Sequence, residues 1–241
     1  MPYFTRADIE RIAIRVTTAY KKLPFLQGNT ENKIRPDVLV RDLFGVTAEY
    51  HNLSRNGTIL GLTGGAGVGV KIFDDPERPE YIFLDGKTLL LDKRLREENA
   101  NVGRHNFTLI HEACHLIFQM LFPQEYMREP RCRQIHYCTV PPARYGDYWE
   151  EWRTNALASA VLMPSDMLRS NMATFGLGEK LHLLNKVFAP AEYCRFTEMA
   201  DYMGVSRQAL SIRMKQLGLL DIDQLQDPYA FVNVFPDEEE L

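Results

Sequence analysis

The chain has few features of a secreted or membrane-inserted protein. Its 241 residues include only 4 cysteines, too few for the disulfide framework of a small extracellular domain. The amino terminus, Met1 to Thr5, lacks the basic start, apolar centre and small-residue cleavage site of a secretory signal. No apolar run approaches the roughly 20 residues that a membrane-spanning helix needs. We therefore expect a cytoplasmic protein with no membrane partner.

An excess of positive charge is also lacking. The sequence has 28 Lys and Arg against 32 Asp and Glu, a formal net charge of -4. Proteins that hold nucleic acid over a broad surface need a basic field, so we do not expect a nucleic-acid partner, and any DNA contact would have to be local. A hydrophobic content of 45% is typical of one globular unit, or of a core with a small appendage.

Two short motifs resemble known sites without supplying their ligands. The glycine-rich stretch from Thr63 to Lys71 has Val70 where a phosphate-binding loop has Lys, and no Ser or Thr follows, so it predicts a flexible hairpin. Cys132 and Cys138, with His136 between them, have a spacing that fits no common zinc knuckle. We interpret these cysteines as loop residues.

The first half of the chain predicts helices followed by strands. A capping box of Thr5 and Asp8 precedes apolar residues at helical spacing, and Pro36 begins a second short helix that Gly45 ends. From Val46 to Asp92 the residues become β-branched and aromatic, and Asn-Gly, Gly-Gly and Asp-Gly pairs interrupt them. This pattern predicts three to five short antiparallel strands.

The second half is predominantly helical in pattern. Helices are predicted at about 107–121, 148–163 and within 164–188, and two more with a turn between them at 191–220. Residues 122–149 have no clean period and contain several prolines, which predicts a long loop of the kind that covers or shapes a site. The fold class is therefore α+β, with a core at 1–188 containing a small antiparallel sheet. A helical, helix-turn-helix-like module and an acidic tail follow at 189–241.

The most informative motif lies in the first of these helices. His111-Glu112-Ala113-Cys114-His115 is an H-E-x-x-H sequence, which on a helix brings both histidines to one face, where they can share a divalent metal. Glu112 can then take a proton from the attacking water. Two histidines on so apolar a helix would be costly to bury without a partner such as a metal.

A catalytic zinc site needs a third protein ligand and an open fourth position. The helix at 148–163 offers Glu151, with Glu150 as the alternative. Asn155 shares a face with Glu151 at a spacing of four residues, where it would orient a ligand histidine, or else cap or bridge a loop. Small residues after Asn155 would let this helix pack closely against the motif helix. These features predict one Zn²⁺ per chain, held by His111, His115 and Glu151.

The residues of these two helices together resemble those of a known family. H-E-A-C-H preceded by Arg104-His105-Asn106-Phe107-Thr108, together with Glu151, Asn155 and the Leu162-Met163-Pro164 ending, resembles the ImmA/IrrE family of zinc-dependent metallopeptidases over most of the chain. The resemblance implies a zincin-like helical core and a gluzincin-like site, in which His111, His115 and Glu151 bind zinc and Glu112 is the general base. Cys114 and Thr154 depart from the usual Gly and Ala of this family.

The resemblance also implies a substrate. Members of the family cleave helix-turn-helix repressors, and no repressor-like segment precedes the core here, so we expect a separate polypeptide as the target. An oxyanion donor besides the metal is needed, and Tyr145, Tyr148, His136 or Arg144 could supply it. An edge strand near Tyr81 to Leu84 could pair with an extended substrate.

A DNA-binding or protein-binding regulator with a vestigial peptidase site is the competing hypothesis. Met199 to Leu210 has the pattern of helix, glycine turn, serine cap and second helix. Arg207, Arg213 and Lys215 would then face phosphates. The lack of a basic footprint favours a structural or partner-binding role for this segment instead.

Overall fold

The structure, a computed structural model, describes residues 4–98, 100–126, 135–139 and 148–231 and is an α+β fold with small sheets. The helices are α1 (Arg6–Lys21), α2 (Pro36–Val38), α3 (Val102–Leu121), α4 (Pro123–Tyr126), α5 (Tyr148–Leu162), α6 (Ser165–Thr174), α7 (Pro190–Met203) and α8 (Arg207–Gln216). The strands are β1 (Thr47–His51), β2 (Ile59–Gly64), β3 (Gly69–Ile72), β4 (Glu80–Phe83), β5 (Thr88–Asp92), β6 (Ile135–Thr139), β7 (Leu181–Leu184) and β8 (Leu220–Asp223). Within these described ranges, no helix has both the length and the apolar character needed to cross a membrane.

The first two helices begin where the sequence predicts. The Thr5 hydroxyl accepts a hydrogen bond from the Asp8 backbone N–H, and the Asp8 carboxylate accepts one from the Thr5 N–H, which completes the capping box of α1. Pro36 begins α2, which continues as a wide π-helical turn over Leu39–Leu43. Gly45 then takes a left-handed φ of 64°, a conformation that glycine adopts without steric cost.

The main sheet has four strands in the order β1-β5-β2-β6. β2 is antiparallel to both β5 and β6, but β1 and β5 are parallel, with Thr47 opposite Thr88 and His51 opposite Asp92. The prediction of an antiparallel sheet is therefore wrong for this pair. β3 and β4 form a separate antiparallel two-stranded sheet.

β6 lies in the segment that the sequence predicts to be a loop. It pairs with β2 along Thr63–His136 and Leu62–Tyr137, so this part of the segment is an edge strand of the sheet. The motif helix α3 packs against β2, β5 and β6 on one side and against α5 on another. The sheet and α5 thus enclose the middle of α3, and Thr108 to Phe118 are buried without interruption.

The carboxyl-terminal part contains the two predicted helices and a strand pair. Gly204, with a φ of 66°, ends α7, and the Ser206 hydroxyl caps α8 by accepting a hydrogen bond from the Ala209 N–H. The prediction of a helical region at 164–188 holds for α6 but is wrong for β7, which pairs in parallel with β8.

The turn between α7 and α8 packs against the start of α3. A Cβ atom added to Gly103 would lie 2.3 Å from the Ser206 backbone nitrogen, so the two backbones are in direct contact. Asn106 donates a hydrogen bond of 2.8 Å to the Gly204 carbonyl. One continuous apolar cluster contains residues of α1, α3 and α5 together with Phe196, Met199, Leu210 and Met214.

Candidate metal centre

His111 and His115 lie one turn apart on α3 and both are buried. The helix begins at Val102, so the predicted start at 107 is wrong: the Asn101 side chain caps the helix by accepting a hydrogen bond from the Arg104 N–H at 2.9 Å. His111 is 1% exposed and His115 is 0% exposed. Burial is the first cause that lowers the pKa of His115 well below its usual value, followed by the positive charges of neighbouring residues. The neutral imidazole that results is the form that binds metal ions.

Three donor groups, two imidazoles on α3 and one carboxylate on α5, form a triangle. The Nε2 atoms of His111 and His115 are 3.2 Å apart. The carboxylate oxygens of Glu151 lie 3.2 Å from the Nε2 of His111 and 3.5 Å from that of His115. Ligands at Zn–N bonds of about 2.05 Å in a tetrahedron are separated by about 3.3 Å, so the triangle has the dimensions of three zinc ligands. These residues could hold a metal ion.

Asn155 contacts His111 from the same helix that carries Glu151. Its Oδ1 lies 3.0 Å from the Nδ1 of His111, and because an amide oxygen only accepts, His111 Nδ1 carries the proton. The unprotonated Nε2 is then the atom that faces Glu151. The contact orients the His111 ring, which is one of the two roles that the sequence left open for Asn155.

The alternative third ligand, Glu150, lies on the other side of His115. Its Oε1 is 3.9 Å from the Nδ1 of His115 and 3.6 Å from the Nδ1 of His136. It therefore belongs to a second group of possible donors, made of His115, His136 and Glu150. Of the two adjacent glutamates, Glu151 is the one that completes the triangle with both Nε2 atoms.

Glu112 is fully buried against the sheet. A Cβ atom at Gly61 of β2 would lie 2.6 Å from the Glu112 Oε1, so the carboxylate occupies the space that the absent side chain leaves. Burial, and secondarily the negative charge of Glu151, raise the pKa of Glu112 well above its usual value, while the Cys138 backbone N–H opposes the rise. Within the described part of the chain, neither carboxylate oxygen has a hydrogen bond of good geometry. Glu112 can therefore form one with a bound water or substrate.

Two cysteines lie close to these groups. Cys114 is 0% exposed, and burial raises the pKa of its thiol. The Sγ of Cys138 in β6, a ring nitrogen of His111 and a carboxylate oxygen of Glu112 lie within 4.8 Å of one another. Both cysteines are free thiols, whereas Cys132 lies outside the described residues. Cys114 is a small buried side chain of the apolar core.

Among the oxyanion candidates, His136 is brought to the site. Its ring stacks on His115 with centroids 4.2 Å apart and planes 13° apart, and it is 8% exposed. Tyr145 and Arg144 lie outside the described residues. Tyr148 begins α5, but its side chain is likewise outside the described part of the structure.

Three features of the site were not predicted from the sequence: the role of Gly61, the position of Cys138 beside Glu112, and the strand β6. Gly61 lies in a strand between Leu60 and Leu62, and an isolated glycine in a strand pattern is a known sign of close approach by another group. That sign was available in the sequence. Which group approaches the glycine depends on how α3 packs on β2, and no local pattern contains that information.

The described residues thus form a cluster of two buried imidazoles and one partly exposed carboxylate, that of Glu151, with the buried Glu112 carboxylate beside it. Such a cluster can bind a divalent cation and hold a base next to it. No protein-family model and no curated protein matches the sequence of this chain.

Proposed function

We propose that the chain is a zinc-dependent endopeptidase of narrow specificity that cleaves a helix-turn-helix repressor protein, as its resemblance to the ImmA/IrrE family implies. The observation that carries the proposal is the triangle formed by the Nε2 atoms of His111 and His115, 3.2 Å apart, and the Glu151 carboxylate. The Glu151 Oε2 lies 3.2 Å from the His111 Nε2, and the Glu151 Oε1 lies 3.5 Å from the His115 Nε2. Three ligands leave the fourth position of a tetrahedral ion open, as hydrolytic zinc sites require.

The residues fit a zinc ion in chemistry as well as in spacing. Two neutral imidazoles and one carboxylate are ligands typical of catalytic zinc, and here two buried histidines lie beside the partly exposed Glu151 carboxylate. A zinc ion bound there would supply Lewis acidity towards the scissile carbonyl and would lower the pKa of water to about 7.

The protein groups then have separate tasks. Glu112 accepts a proton from the attacking water and donates it to the leaving amine, since no described residue forms a competing hydrogen bond of good geometry with its oxygens. Asn155 fixes the tautomer of His111 through the bond of 3.0 Å. His136, at the edge of the site beside His115, is the oxyanion donor that the described residues favour.

The edge strand β6 is the surface on which we propose that the substrate binds. Its residues His136 and Cys138 approach His115 and Glu112 respectively, whereas β4, which contains Tyr81 to Phe83, belongs to the separate sheet with β3. Within the described residues, β6 pairs on one side only, with β2. An extended peptide added to its other side would cross the site.

A first experiment measures the metal and the reaction together. We expect about one zinc per chain by mass spectrometry in the wild type, and loss of stoichiometric zinc in both Glu151→Gln and His115→Ala, because each removes a ligand. A panel of purified helix-turn-helix repressors, incubated without DNA, should contain one that the wild type cleaves and Glu112→Gln does not. Zinc at wild-type stoichiometry in Glu151→Gln would overturn the ligand assignment, and cleavage by Glu112→Gln would overturn the role of the base.

The competing regulator hypothesis has less support in the geometry. Arg213 is 2% exposed, and its guanidinium donates to the Met163 carbonyl and the Glu10 carboxylate, so it cannot reach a phosphate without breaking these contacts. Arg207 donates to the Tyr193 hydroxyl. Salt-sensitive DNA binding by the full chain would favour a regulator, since phosphate contacts release counterions.

A further inference from the structure

Among the residues that the structure describes, none forms a hydrogen bond with the buried Nδ1 atom of His115. The corresponding atom of His111 is paired with Asn155 at 3.0 Å, so the two histidines of the motif differ on the side that faces away from the triangle. The group that approaches the His115 Nδ1 is the Glu150 carboxylate, at 3.9 Å.

A ligand histidine that binds through Nε2 must carry its proton on Nδ1. In a buried site that N–H needs an acceptor, because an unsatisfied buried donor costs about 1–3 kcal/mol. A carboxylate at this position fixes the tautomer and raises the basicity of the imidazole. A shift of about 1 Å from the observed 3.9 Å would bring Glu150 to hydrogen-bond distance.

Glu150 is held in place by more than its own helix. Its Oε1 lies 3.4 Å from an Arg153 guanidinium nitrogen and 3.6 Å from the His136 Nδ1. The Thr154 hydroxyl donates to the Glu150 backbone carbonyl at 2.9 Å. A carboxylate has about four lone-pair positions, so it can accept from Arg153, His136 and His115 together.

A second metal ion at the same place is the main alternative use of these groups. The donor atoms of His115, His136 and Glu150 lie within 4.8 Å of one another. The Arg153 guanidinium, however, already supplies a positive charge at the same oxygen, and a divalent ion beside it would be repelled. The two imidazole planes are within 13° of parallel, so their in-plane lone pairs do not converge on one ion.

We propose that Glu150 is the positioning residue of His115: its carboxylate accepts the Nδ1 proton when Nε2 binds the metal, as the amide oxygen of Asn155 does for His111. The inference rests on the proposed metal site and adds a role for Glu150 and Arg153. Glu150 touches neither metal nor substrate and acts through His115 alone.

Zinc affinity of the full chain, measured by competition with a chromophoric chelator, tests the proposal. We expect Glu150→Ala to raise the zinc dissociation constant about 10- to 100-fold, with the stoichiometry still one per chain. Glu150→Gln keeps the shape and an acceptor oxygen but loses the charge, and we expect a smaller rise. Glu179→Gln, a change at an exposed glutamate outside the site, is the matched control and should bind zinc as the wild type does.

A nuclear magnetic resonance experiment on the zinc-loaded chain separates positioning from a general structural effect. The wild type should show slowly exchanging Nδ1 protons on both His111 and His115. In Glu150→Ala the His115 proton should exchange faster, and the His111 proton, bonded to Asn155, should not change. A variant that merely loosened the fold would affect both protons.

The outcomes distinguish this inference from the proposed function. Loss of zinc in Glu151→Gln, with wild-type affinity and an unchanged His115 proton in Glu150→Ala, would overturn the inference alone. Two zinc ions per chain, one of them lost in Glu150→Ala, would show a second metal site and would also overturn it. A wild type that binds no zinc would overturn both.

Discussion

At the scale of single residues, the site depends on a glycine as much as on its acids and imidazoles. Gly61 lets β2 approach α3 so closely that an added Cβ would lie 2.6 Å from the Glu112 Oε1 and 2.9 Å from the Thr108 Cγ2. Real Cβ atoms do not approach other heavy atoms so closely. Because Gly61 has no side chain, β2 leaves room for the carboxylate of the proposed base, Glu112, and defines its position on the side of the sheet.

Gly61→Ala should separate metal binding from catalysis. The new methyl group must displace the Glu112 carboxylate, and its three nearest atoms belong to Glu112 and Thr108 rather than to the triangle, so we expect zinc content to remain about one per chain. The rate of substrate cleavage should fall by about 100-fold, the cost of a displacement of roughly 1 Å in a reacting group. Gly69→Ala is the control, because the three atoms nearest to its Cβ would all belong to the exposed Phe83 ring, the first at 3.2 Å. Equal rates for the two variants would contradict the role of Gly61.

The raised pKa of Glu112 has a consequence for stability that can be measured without substrate. A carboxyl whose pKa is higher in the folded than in the unfolded chain binds more protons when folded, so its effect on stability becomes less favourable as pH rises from about 4.5 through the folded pKa. We expect apo protein to lose stability over this range through Glu112. Glu112→Gln removes the titration, so apo Glu112→Gln should be more stable than apo wild type at pH 7.

Urea unfolding at several pH values measures this difference. The His115 pKa is shifted downwards, which lowers stability below about pH 6.5, but this contribution is present in both proteins and cancels in the comparison. Zinc should reduce the gap, because a cation beside Glu112 favours its charged form. A wild type that is as stable as Glu112→Gln at every pH would contradict a raised pKa of Glu112 in the folded protein.

At the scale of elements, the sequence predicted the helix caps and turns that depend on residues close together in the chain. The capping box of Thr5 and Asp8, the left-handed Gly45 and the paired caps at Gly204 and Ser206 are all observed, since each depends on residues within one turn. The spacing of four residues also put Glu151 and Asn155 on one face of α5, and both contact His111. Helical geometry alone fixes such relations.

The features that the sequence did not predict depend on distant partners. The parallel pairing of β1 with β5 joins Thr47 to Thr88, and nothing within either strand encodes the direction of its neighbour. Leu181–Leu184 is a short apolar run that cannot be assigned to strand or helix by periodicity alone. The run forms a strand because it pairs with β8.

The contact between α3 and the α7–α8 turn gives a prediction for an element junction. Alanine at Gly103 would favour the helix by up to about 1 kcal/mol through propensity. Its Cβ would, however, lie 2.3 Å from the Ser206 nitrogen and 2.6 Å from the Val205 carbonyl carbon, both backbone atoms that cannot rotate away. Because overpacking of this kind costs typically 1–3 kcal/mol or more, we expect a net destabilisation of about 2 kcal/mol.

Urea unfolding of Gly103→Ala beside Gly69→Ala tests this balance. The exposed Phe83 ring can move from the second glycine, so that variant should remain close to wild type. A Gly103→Ala protein more stable than wild type would mean that propensity outweighs the clash, and that the turn can withdraw from α3.

At the scale of the whole molecule, the two predicted parts of the chain share buried surface. Arg213 of α8 donates to the Glu10 carboxylate of α1, and also to the Met163 carbonyl that follows α5. The apolar cluster around α3 and α5 contains Phe196, Met199, Leu210 and Met214, each 0% exposed. The boundary predicted at 188/189 therefore separates two segments that pack against one another, and whether either folds alone is a question for experiment.

A fragment of residues 1–188 answers that question. Fully burying one large apolar side chain contributes about 1.5–3 kcal/mol, so the loss of the four named residues alone removes about 6–12 kcal/mol, comparable with the whole stability of a typical domain at about 5–15 kcal/mol. The fragment would also leave Gly103 and the Met163 carbonyl without the contacts that the α7–α8 region makes. We expect it to show no cooperative thermal unfolding and no stoichiometric zinc, because His111 and Glu151 are held by helices that pack in the same core. A fragment of residues 1–231 keeps every described element and should unfold cooperatively with one zinc bound. If the shorter fragment also unfolds cooperatively and binds zinc, residues 1–188 fold independently of residues 189–241, and the packing of α7 and α8 on α3 is not needed to hold the metal centre together.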